Sequence, residues 1–354
     1  MGISDDVVKQ RKEIKSDRLD MSFGEIINMY KEKEIIISPE YQRAFRWNNE
    51  RQTDFIESIL LGIPFPSIFV AANDDGKWEL VDGLQRVSTV LSFFGEFTQD
   101  ESKNNLVLGE GDILKSLRGM DASSLPLDLR LSIKRTACRV EIIQKESDFQ
   151  MRYELFKRLN TGGEGLTRQE IRNCVFRGFK EFHYFNDVIK EAAGNKHFKK
   201  MVWISDDDIQ KMAYEENCLR FFALSTGMDT YKEQSIQNFF DRIMGEQCEN
   251  PNKDMLEKTF SKFKEICEYL NQTEENVFKF ARLNFSTSMY DSIMLSLMNV
   301  ENLNEIQIKD FVEKINLLKN IPDFKRFAGA ASSSPSNIKG KIEIAKSVLL
   351  SGYE

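Results

Sequence analysis

The chain is poor in the residues that build metal centres and disulfide frameworks, since its 354 residues include only two histidines and five cysteines. His183 and His197 have neither metal-ligand spacing nor an HExxH motif, which argues against a nuclease with a histidine-bound metal. The cysteines are odd in number, scattered and without a CxxC pair, a pattern typical of free thiols in a reducing compartment. Any metal would have to be magnesium, held by carboxylates and phosphate oxygens.

Other absences exclude further classes of protein. There is no GxxxxGK[ST] loop, which argues against a P-loop fold, and no GxSxG nucleophile turn. Residues 1–20 are charged throughout and no apolar run is long enough to cross a membrane, so neither a signal peptide nor a membrane partner is expected. These features predict a cytoplasmic protein.

The chain also lacks a cationic excess. It has 49 Lys and Arg against 56 Asp and Glu, a formal net charge of -7. This balance argues against strong nonspecific binding to nucleic acid, although it leaves room for a local basic groove. The length exceeds what one core usually serves, and 41% hydrophobic with 30% charged residues is typical of a folded protein.

The hydrophobic pattern predicts an α+β class, with a mixed first half and a helical second half. Strands are predicted at 35–37, 67–72, 77–81 and 135–143. Helices are predicted at 49–61, 84–94, 148–159 and, from the capping-box spacing of Thr167 and Glu170, 167–177. Residues 95–130 lack periodicity and predict a partly ordered excursion. Roughly eight helices are expected after residue 179, the last at 337–350 after a loop at 332–336. The predicted domains are a charged segment 1–19, a mixed domain 20–178 and an all-α domain 179–354.

The strongest chemical pattern is Val81-Asp82-Gly83-Leu84-Gln85-Arg86-Val87-Ser88-Thr89, where a strand turns into a helix. Gly83 permits a positive φ and close approach of a ligand. The new helix points its free N–H groups at the same place. Asp82, Gln85 and Arg86 add a carboxylate, an amide and a cation, which suit a phosphate or a metal-bound phosphate. The structural alternative is that Asp82 caps the helix and Arg86 pairs with a surface acid.

Three other arginine-bearing clusters have structural alternatives of their own. The first follows a strand end and consists of Tyr41, Gln42, Arg43, Arg46 and Trp47. It could instead be an aromatic edge packed on the core. The second surrounds a glycine-rich loop and consists of Arg158, Asn160, Thr161, Arg168, Arg172 and Asn173. It could instead be an ordinary helix connection. The third is a predicted basic strand with Arg130, Lys134, Arg135 and Arg139, which could be a solvated face. Converging arginines repel each other unless an anion lies between them, so convergence would predict a phosphate ligand.

In order along the chain, Pro39-Glu40-Tyr41-Gln42-Arg43, Trp47, the turn Leu60-Leu61-Gly62-Ile63-Pro64-Phe65-Pro66 and Asp82-Gly83-Leu84-Gln85-Arg86 form a specific set. Together they resemble the N-terminal domain of the GmrSD-type, modification-dependent restriction endonucleases. Arg158-Leu159-Asn160-Thr161-Gly162-Gly163 and Gln169-Glu170-Ile171-Arg172-Asn173 match a subgroup of that family. The resemblance is strong over roughly residues 20–180.

The resemblance implies a ParB/sulfiredoxin-like fold that binds a nucleotide, often with hydrolysis, in DNA restriction or antiviral defence. Asp82, Gln85 and Arg86 fill the family's Asp-Gly-Gln-Gln-Arg signature, with Leu84 in place of its first glutamine. This departure is expected to weaken hydrolysis more than binding. No HNH nuclease domain is recognisable in the chain, so DNA cleavage by this chain alone is not expected.

The leading hypothesis is a nucleotide-binding, NTP-hydrolysing sensor or regulator, with Mg²⁺ as a hypothetical cofactor and GTP, ATP and CTP undistinguished. Asp82, Gln85 and Arg86 are assigned as catalytic, and Asp82 also as the metal ligand. The predicted nucleotide-binding residues are Tyr41, Gln42, Arg43, Gly83, Thr89, Arg158, Asn160, Thr161 and Arg172. Two alternatives stay open: a ParB-like DNA-binding or nuclease module, and a non-enzymatic scaffold for a partner nuclease.

Overall fold

The computed structural model describes residues 2–3, 16–37, 47–73, 75–98, 100–144, 155–156, 158, 167–273, 276–283 and 285–353. Its contacts divide the chain into two compact units, Met1–Leu166 and Thr167–Glu354. We call them the sheet unit and the helical unit. The division falls before the predicted boundary at residue 178, because helix Arg168–Phe176 packs on helices of the second unit.

The sheet unit contains a five-stranded mixed sheet of order β1-β5-β3-β4-β2. The outer pair β1–β5 and the inner pair β3–β4 are antiparallel, whereas β5–β3 and β4–β2 are parallel. Alternate residues of β3 and β5, such as Ile68, Val70 and Val140, are fully buried, as expected for central strands. The strands are β1 Ser16–Ser22, β2 Ile35–Ile36, β3 Ile68–Ala72, β4 Trp78–Asp82 and β5 Ala137–Ile143.

Four α-helices with described bounds accompany this sheet: α1 Phe23–Lys31, α2 Asn49–Leu61, α3 Leu84–Phe93 and α4 Leu127–Arg135. Helix α2 begins at an Asn48 cap whose side chain accepts from the Arg51 N–H, and it ends at Gly62 with φ +70°. These termini confirm the helix predicted at 49–61. The strands predicted in this half are confirmed with small shifts at their ends.

The charged segment 1–19 includes the start of β1, which pairs along its length with β5. One prediction for the sheet unit is wrong. The excursion 95–130 is ordered, because its backbone N–H groups at Ile113 and Leu114 donate to the buried Glu57 carboxylate at 2.9 and 2.5 Å. Its last part belongs to helix α4. Most of the predicted helix 148–159 lies outside the described residues. The three residues of it that are described, 155, 156 and 158, are helical.

The helical unit confirms the predicted all-α second half, with eleven α-helices in its described residues. Ten of them follow residue 179, where roughly eight were predicted. The last begins at Pro335 on a Ser334 cap, slightly earlier than predicted. The helices are α5 Arg168–Phe176, α6 Phe182–Ala193, α7 Lys196–Met201, α8 Asp206–Gln210, α9 Ala213–Gly227, α10 Ile236–Glu249, α11 Lys253–Asn271, α12 Thr287–Leu297, α13 Ile308–Leu318, α14 Pro322–Phe327 and α15 Pro335–Leu349.

Aromatic rings fill the core of the helical unit. Phe198 contacts Tyr214, Phe263 and Tyr290 with ring centroids 5.7, 5.1 and 6.2 Å apart. Such edge-on contacts explain why short helices suffice here, since packing rather than helix length supplies the stability. The α+β class is thus confirmed. None of the helices in the described ranges is both long enough and apolar enough to cross a membrane.

Candidate functional site

The candidate site is the corner where strand β4 turns into helix α3. Gly83 stands between the two elements with φ +94° and ψ 12°, and no side chain caps the helix start. A Cβ at this position would lie 2.4 Å from Ile68 Cγ2, so glycine is required for two separate reasons. The first turn of α3 therefore presents backbone N–H groups that no side chain caps, beside a closely packed strand.

Arg86 is fixed at this corner by three acceptors. Its Nη2 donates to Asp82 Oδ2 at 2.8 Å, and its Nη1 donates to the carbonyls of Ser67, at 3.2 Å, and Pro66. The side chain is 12% exposed and that of Asp82 is 32% exposed. The arginine thus holds the Pro66-Ser67 turn against the start of α3. A small part of its side chain remains exposed to solvent. The structural alternative paired Arg86 with a surface acid. In the structure its acidic partner is Asp82, a residue of the same corner.

Gln85 connects the corner to the segment that carries the Tyr-Gln-Arg signature. Its Oε1 accepts from the backbone N–H of Trp47 at 3.1 Å, and the Trp47 ring lies edge-on to Phe55 at 5.8 Å. Tyr41, Gln42 and Arg43 themselves lie outside the described residues. The sequence predicted a catalytic role for Gln85, and the structure shows its amide oxygen bound to the main chain.

Thr89 is one turn further along α3 and is fully buried. Its Oγ1 donates to the Gln85 carbonyl at 2.7 Å, a bond within the helix. This placement gives Thr89 a packing role, and its predicted contact with nucleotide stays a prediction without support from the geometry.

The glycine-rich cluster is only partly described. Asn160 and Thr161 lie outside the described residues, while Arg158 is helical and exposed. Arg172 belongs to helix α5 of the helical unit and has no exposed side-chain surface. A nucleotide could reach it only by displacing its protein partners, so its predicted clamp role stays a prediction.

Those partners neutralise the Arg172 charge inside the helical unit. Nε donates to Asp241 Oδ1 at 2.6 Å, Nη1 donates to Gln169 Oε1 at 3.1 Å, and Nη2 donates to Gln237. A buried arginine with a carboxylate and two amide acceptors is typical of a structural ion pair.

The predicted basic strand is wrong for three of its four residues. Arg130, Lys134 and Arg135 lie on helix α4, and only Arg139 is on strand β5. Arg139 Nε donates to Asp20 Oδ1 at 3.1 Å across the β1–β5 pair. Lys134 Nζ lies 4.8 Å from the Phe94 ring centroid. The cluster therefore does not form one basic strand face.

A cleft of about 600 Å³ adjoins the turn that Arg86 holds. Ser67, whose carbonyl accepts from Arg86, lines it together with Ile63, Phe65, Asp20 and Arg139. This volume suits a small molecule. The sequence reasoning missed the cleft because its walls come from strands β1 and β5 and from the turn after α2, which are far apart in the chain.

Whether Mg²⁺ could bind at the corner depends on the metal ligands that its side chains offer. No group of three or more His, Cys, Asp or Glu side chains with metal-binding geometry occurs among the described residues. Asp82 supplies one carboxylate at the corner, which suits Mg²⁺ only when phosphate oxygens and water complete its coordination. Asp82 is itself paired with Arg86, so magnesium as a cofactor stays a prediction.

Comparison with known families bears on this half of the chain. Residues 23–177 match the family described as GmrSD restriction endonuclease, N-terminal domain. The match is consistent with a GmrSD-type N-terminal domain over this segment. The match confirms the resemblance found in the signature residues. It includes the corner, helix α5 and the cleft lining except Asp20. The family relates the segment to restriction and defence. No curated protein and no solved structure matches the chain.

Proposed function

We propose that the GmrSD-type domain binds a nucleoside triphosphate at the β4–α3 corner and acts as the nucleotide-dependent sensor of a restriction or antiviral defence system. The observation that carries the proposal is the pairing of a fixed, partly exposed Arg86 with an uncapped helix start at Gly83. A cation and backbone N–H groups beside one another are the groups that bind phosphate oxygens. A ligand-sized cleft lies beside the turn at Ser67, and its lining does not include Asp82, Gly83 or Arg86.

Phosphate would compete with Asp82 for Arg86. Among the residues that the structure describes, Nη2 has one acceptor, Asp82, and the two acceptors of Nη1 are carbonyls of the turn. Nη2 is therefore the nitrogen from which a phosphate oxygen would displace the carboxylate. Asp82, once displaced, is the residue that would hold Mg²⁺, which supplies charge neutralisation of the phosphates.

Gln85 acts on the nucleotide through Trp47. Its bond to the Trp47 N–H fixes the end of the segment that carries Tyr41, Gln42 and Arg43, four to six residues earlier in the chain. We assign Gln85 as a positioning residue, because its amide oxygen is bound to the backbone.

Hydrolysis by this domain would be slow. Leu84 occupies the position of the signature's first glutamine and is buried, with 7% exposure, so it offers no polar group to a water molecule. Phosphoryl transfer needs a positioned nucleophile as well as charge neutralisation. We expect Leu84→Gln to raise the rate of phosphate release at least severalfold without tightening binding. Single-turnover kinetics with labelled GTP, ATP and CTP measures it, and equal rates in both proteins would exclude Leu84 as the cause of slow turnover.

Titration calorimetry with GTP, ATP and CTP in the presence of Mg²⁺ tests the binding itself. Arg86→Ala should weaken binding by roughly tenfold to a hundredfold, because charge-assisted hydrogen bonds contribute about 1.5–3 kcal/mol. Arg118→Ala is the control, since Arg118 is an exposed arginine of the same unit that pairs only weakly with Glu110, at 3.8 Å. Absence of binding to all three nucleotides in the wild type would refute the proposal, and equal losses in both variants would remove Arg86 from the site.

Asp82→Asn separates the pairing of that carboxylate with Arg86 from its proposed binding of Mg²⁺. The substitution removes a negative charge next to the phosphates while keeping the shape of the side chain. We expect nucleotide binding without Mg²⁺ to be equal or tighter, and the gain in affinity on adding Mg²⁺ to disappear. An unchanged Mg²⁺ dependence would show that the metal ligand lies elsewhere.

The DNA-binding alternative gains nothing from the arginines of the β1–β5 pair. Arg139 pairs with Asp20 and Arg18 pairs with Glu141, so the charges on the β1–β5 pair are locally balanced. Backbone recognition of DNA requires an excess of cations along a surface.

A further inference from the structure

The helical unit contains a second cavity, of about 470 Å³, that the proposed nucleotide site does not use. Its walls come from the segment between α7 and α8, from the start of α9 and from the start of α12. Trp203 lies on its lining with 65% exposure, although large aromatic side chains are usually well buried. The cavity volume is within the range of small-molecule sites.

Arg220 lies in the cavity lining and is 6% exposed. Its Nε and Nη2 donate to the two oxygens of the fully buried Asp291 carboxylate at 2.5 and 2.6 Å. Nη1 makes no hydrogen bond to any residue that the structure describes. A guanidinium has five N–H donors, so Arg220 offers one further hydrogen-bond donor. Its partner Asp291 also pairs with the buried Lys341, at 3.7 Å.

The lining is balanced in charge. Its four charged side chains are two cations, Lys211 and Arg220, and two carboxylates, Asp208 and Glu216. Lys211 also pairs with Asp207, which lies outside the lining. The charges of these four side chains therefore sum to zero. The cavity therefore suits an uncharged polar ligand.

The backbone beside the cavity is strained. Met212, between the lining residues Lys211 and Ala213, has φ +63°, an uncommon conformation for a side chain of this size. Thr167 Oγ1 donates to the Lys211 carbonyl at 3.1 Å, and Asn173 Nδ2 lies 3.2 Å from Met212 Sδ. Strain of this kind is concentrated at ligand sites, where surrounding contacts maintain it.

We infer that this cavity binds an uncharged nucleobase, presented as a nucleoside, with its ring stacked on Trp203. The exposed indole supplies the flat apolar surface on which a base stacks. The polar edge of a base carries both donors and acceptors, which match the Arg220 Nη1 donor and the carboxylate of Glu216. Because the inference rests on the helical unit alone, it stands independently of the proposed triphosphate site.

The chain's three tryptophans allow both sites to be observed in one experiment. 5-Fluorotryptophan incorporated into the full chain would give ¹⁹F resonances for Trp47, Trp78 and Trp203, each assigned with a Trp→Phe variant. Adenosine, guanosine, cytidine and thymidine should shift the Trp203 resonance saturably and leave Trp78 unmoved. The corresponding triphosphates should bind at Trp203 no more tightly than the nucleosides, while any effect at Trp47 reports on the corner.

Two variants of Trp203 test the stacking. Trp203→Ala should weaken nucleoside binding at least roughly tenfold in calorimetry, whereas Trp203→Phe should retain most of it. The residue is exposed, so neither variant should unfold the protein, and circular dichroism checks this. The inference is overturned if millimolar nucleoside leaves the Trp203 resonance unmoved, if methyl glucoside shifts it equally, or if triphosphates bind there more tightly than nucleosides.

Discussion

At Gly83 the chain enters helix α3 in a left-handed conformation while passing within van der Waals distance of strand β3. Gly83→Ala should destabilise the protein by about 2–4 kcal/mol, the sum of a positive-φ penalty near 1 kcal/mol and a steric clash with Ile68. Urea denaturation of the purified proteins measures the difference.

Gly76 provides the matched control. Its φ is +80°, close to that of Gly83, but a Cβ at this position would have no atom within 4 Å. Gly76→Ala should therefore cost about 1 kcal/mol, from the backbone term alone. Equal losses for the two variants would show that close packing on Ile68 adds nothing at the corner.

Cys138 makes the free energy of unfolding depend on pH in the alkaline range. Burial raises the pKa of its thiol to about 11 from the ordinary value of 9.0, and the nearby Arg86 charge opposes this shift. Between pH 9 and 11 the unfolded chain loses the thiol proton while the folded chain keeps it, so the free energy of unfolding falls as pH rises. Below pH 9 the contribution is fully present.

The measurement is urea denaturation of wild type and Cys138→Ala at pH 8, 9, 10 and 11. The variant should lose less stability than the wild type over this interval, because one raised thiol pKa has been removed. Parallel pH profiles would contradict the assignment of part of the alkaline loss to Cys138.

At the level of residues, the sequence predicts the composition of the corner but not its bonds. Gly83, Asp82 and Arg86 could be identified because a glycine between a strand and a helix has few structural uses. The Gln85–Trp47 bond could not, since it joins positions that only the folded sheet brings together. The burial of Arg172 was equally invisible, because a helical arginine carries no sign of which face it occupies.

The helices around the site are stabilised by hydrogen bonds at their ends. Helix α5 begins with a complete capping box, in which Glu170 Oε2 accepts from the Thr167 N–H at 2.7 Å and Thr167 Oγ1 accepts from the Glu170 N–H at 3.3 Å. The spacing of the two residues predicted this helix start, and the structure confirms it. Thr167 Oγ1 also donates to the Lys211 carbonyl.

Thr167→Ala should cost about 1–2 kcal/mol, because one cap contributes about 1 kcal/mol and the bond to Lys211 is lost with it. Thr167→Ser keeps the hydroxyl and should cost much less. Thermal unfolding of the two variants makes the comparison, and an equally large loss in the serine variant would assign the effect to the methyl group instead.

Helix α4 shows why one element was misassigned. The sequence placed residues up to 130 in an excursion without periodicity, and Arg130, Lys134 and Arg135 in a basic strand. In the structure Leu127 and Leu129 are exposed and Ile133 is the buried residue of the helix. A helix that buries a single side chain leaves no clear helical period of apolar residues in the sequence.

At the scale of the whole molecule, each unit has its own core. The helical unit buries a network of aromatic rings and two internal arginine–carboxylate pairs, Arg172–Asp241 and Arg220–Asp291. A core and satisfied buried charges are what a domain needs to fold alone.

A fragment of residues 167–354 should therefore fold independently, with a cooperative urea transition and near-ultraviolet circular dichroism from its packed aromatic side chains. The full chain provides the reference spectrum. A fragment with helical far-ultraviolet signal but no near-ultraviolet signal or cooperative transition would contradict an independent core.

Phosphate binding at the start of α3 is the step on which the proposed function depends most. Hydrogen–deuterium exchange of the full chain, with and without Mg²⁺ and a nucleoside triphosphate, measures the amides of residues 83–87 directly. We expect the triphosphate to slow their exchange, the nucleoside lacking phosphates to have no effect there, and Arg86→Ala to abolish the protection. Triphosphate binding that protects other segments while residues 83–87 exchange at their unliganded rate would contradict the central claim.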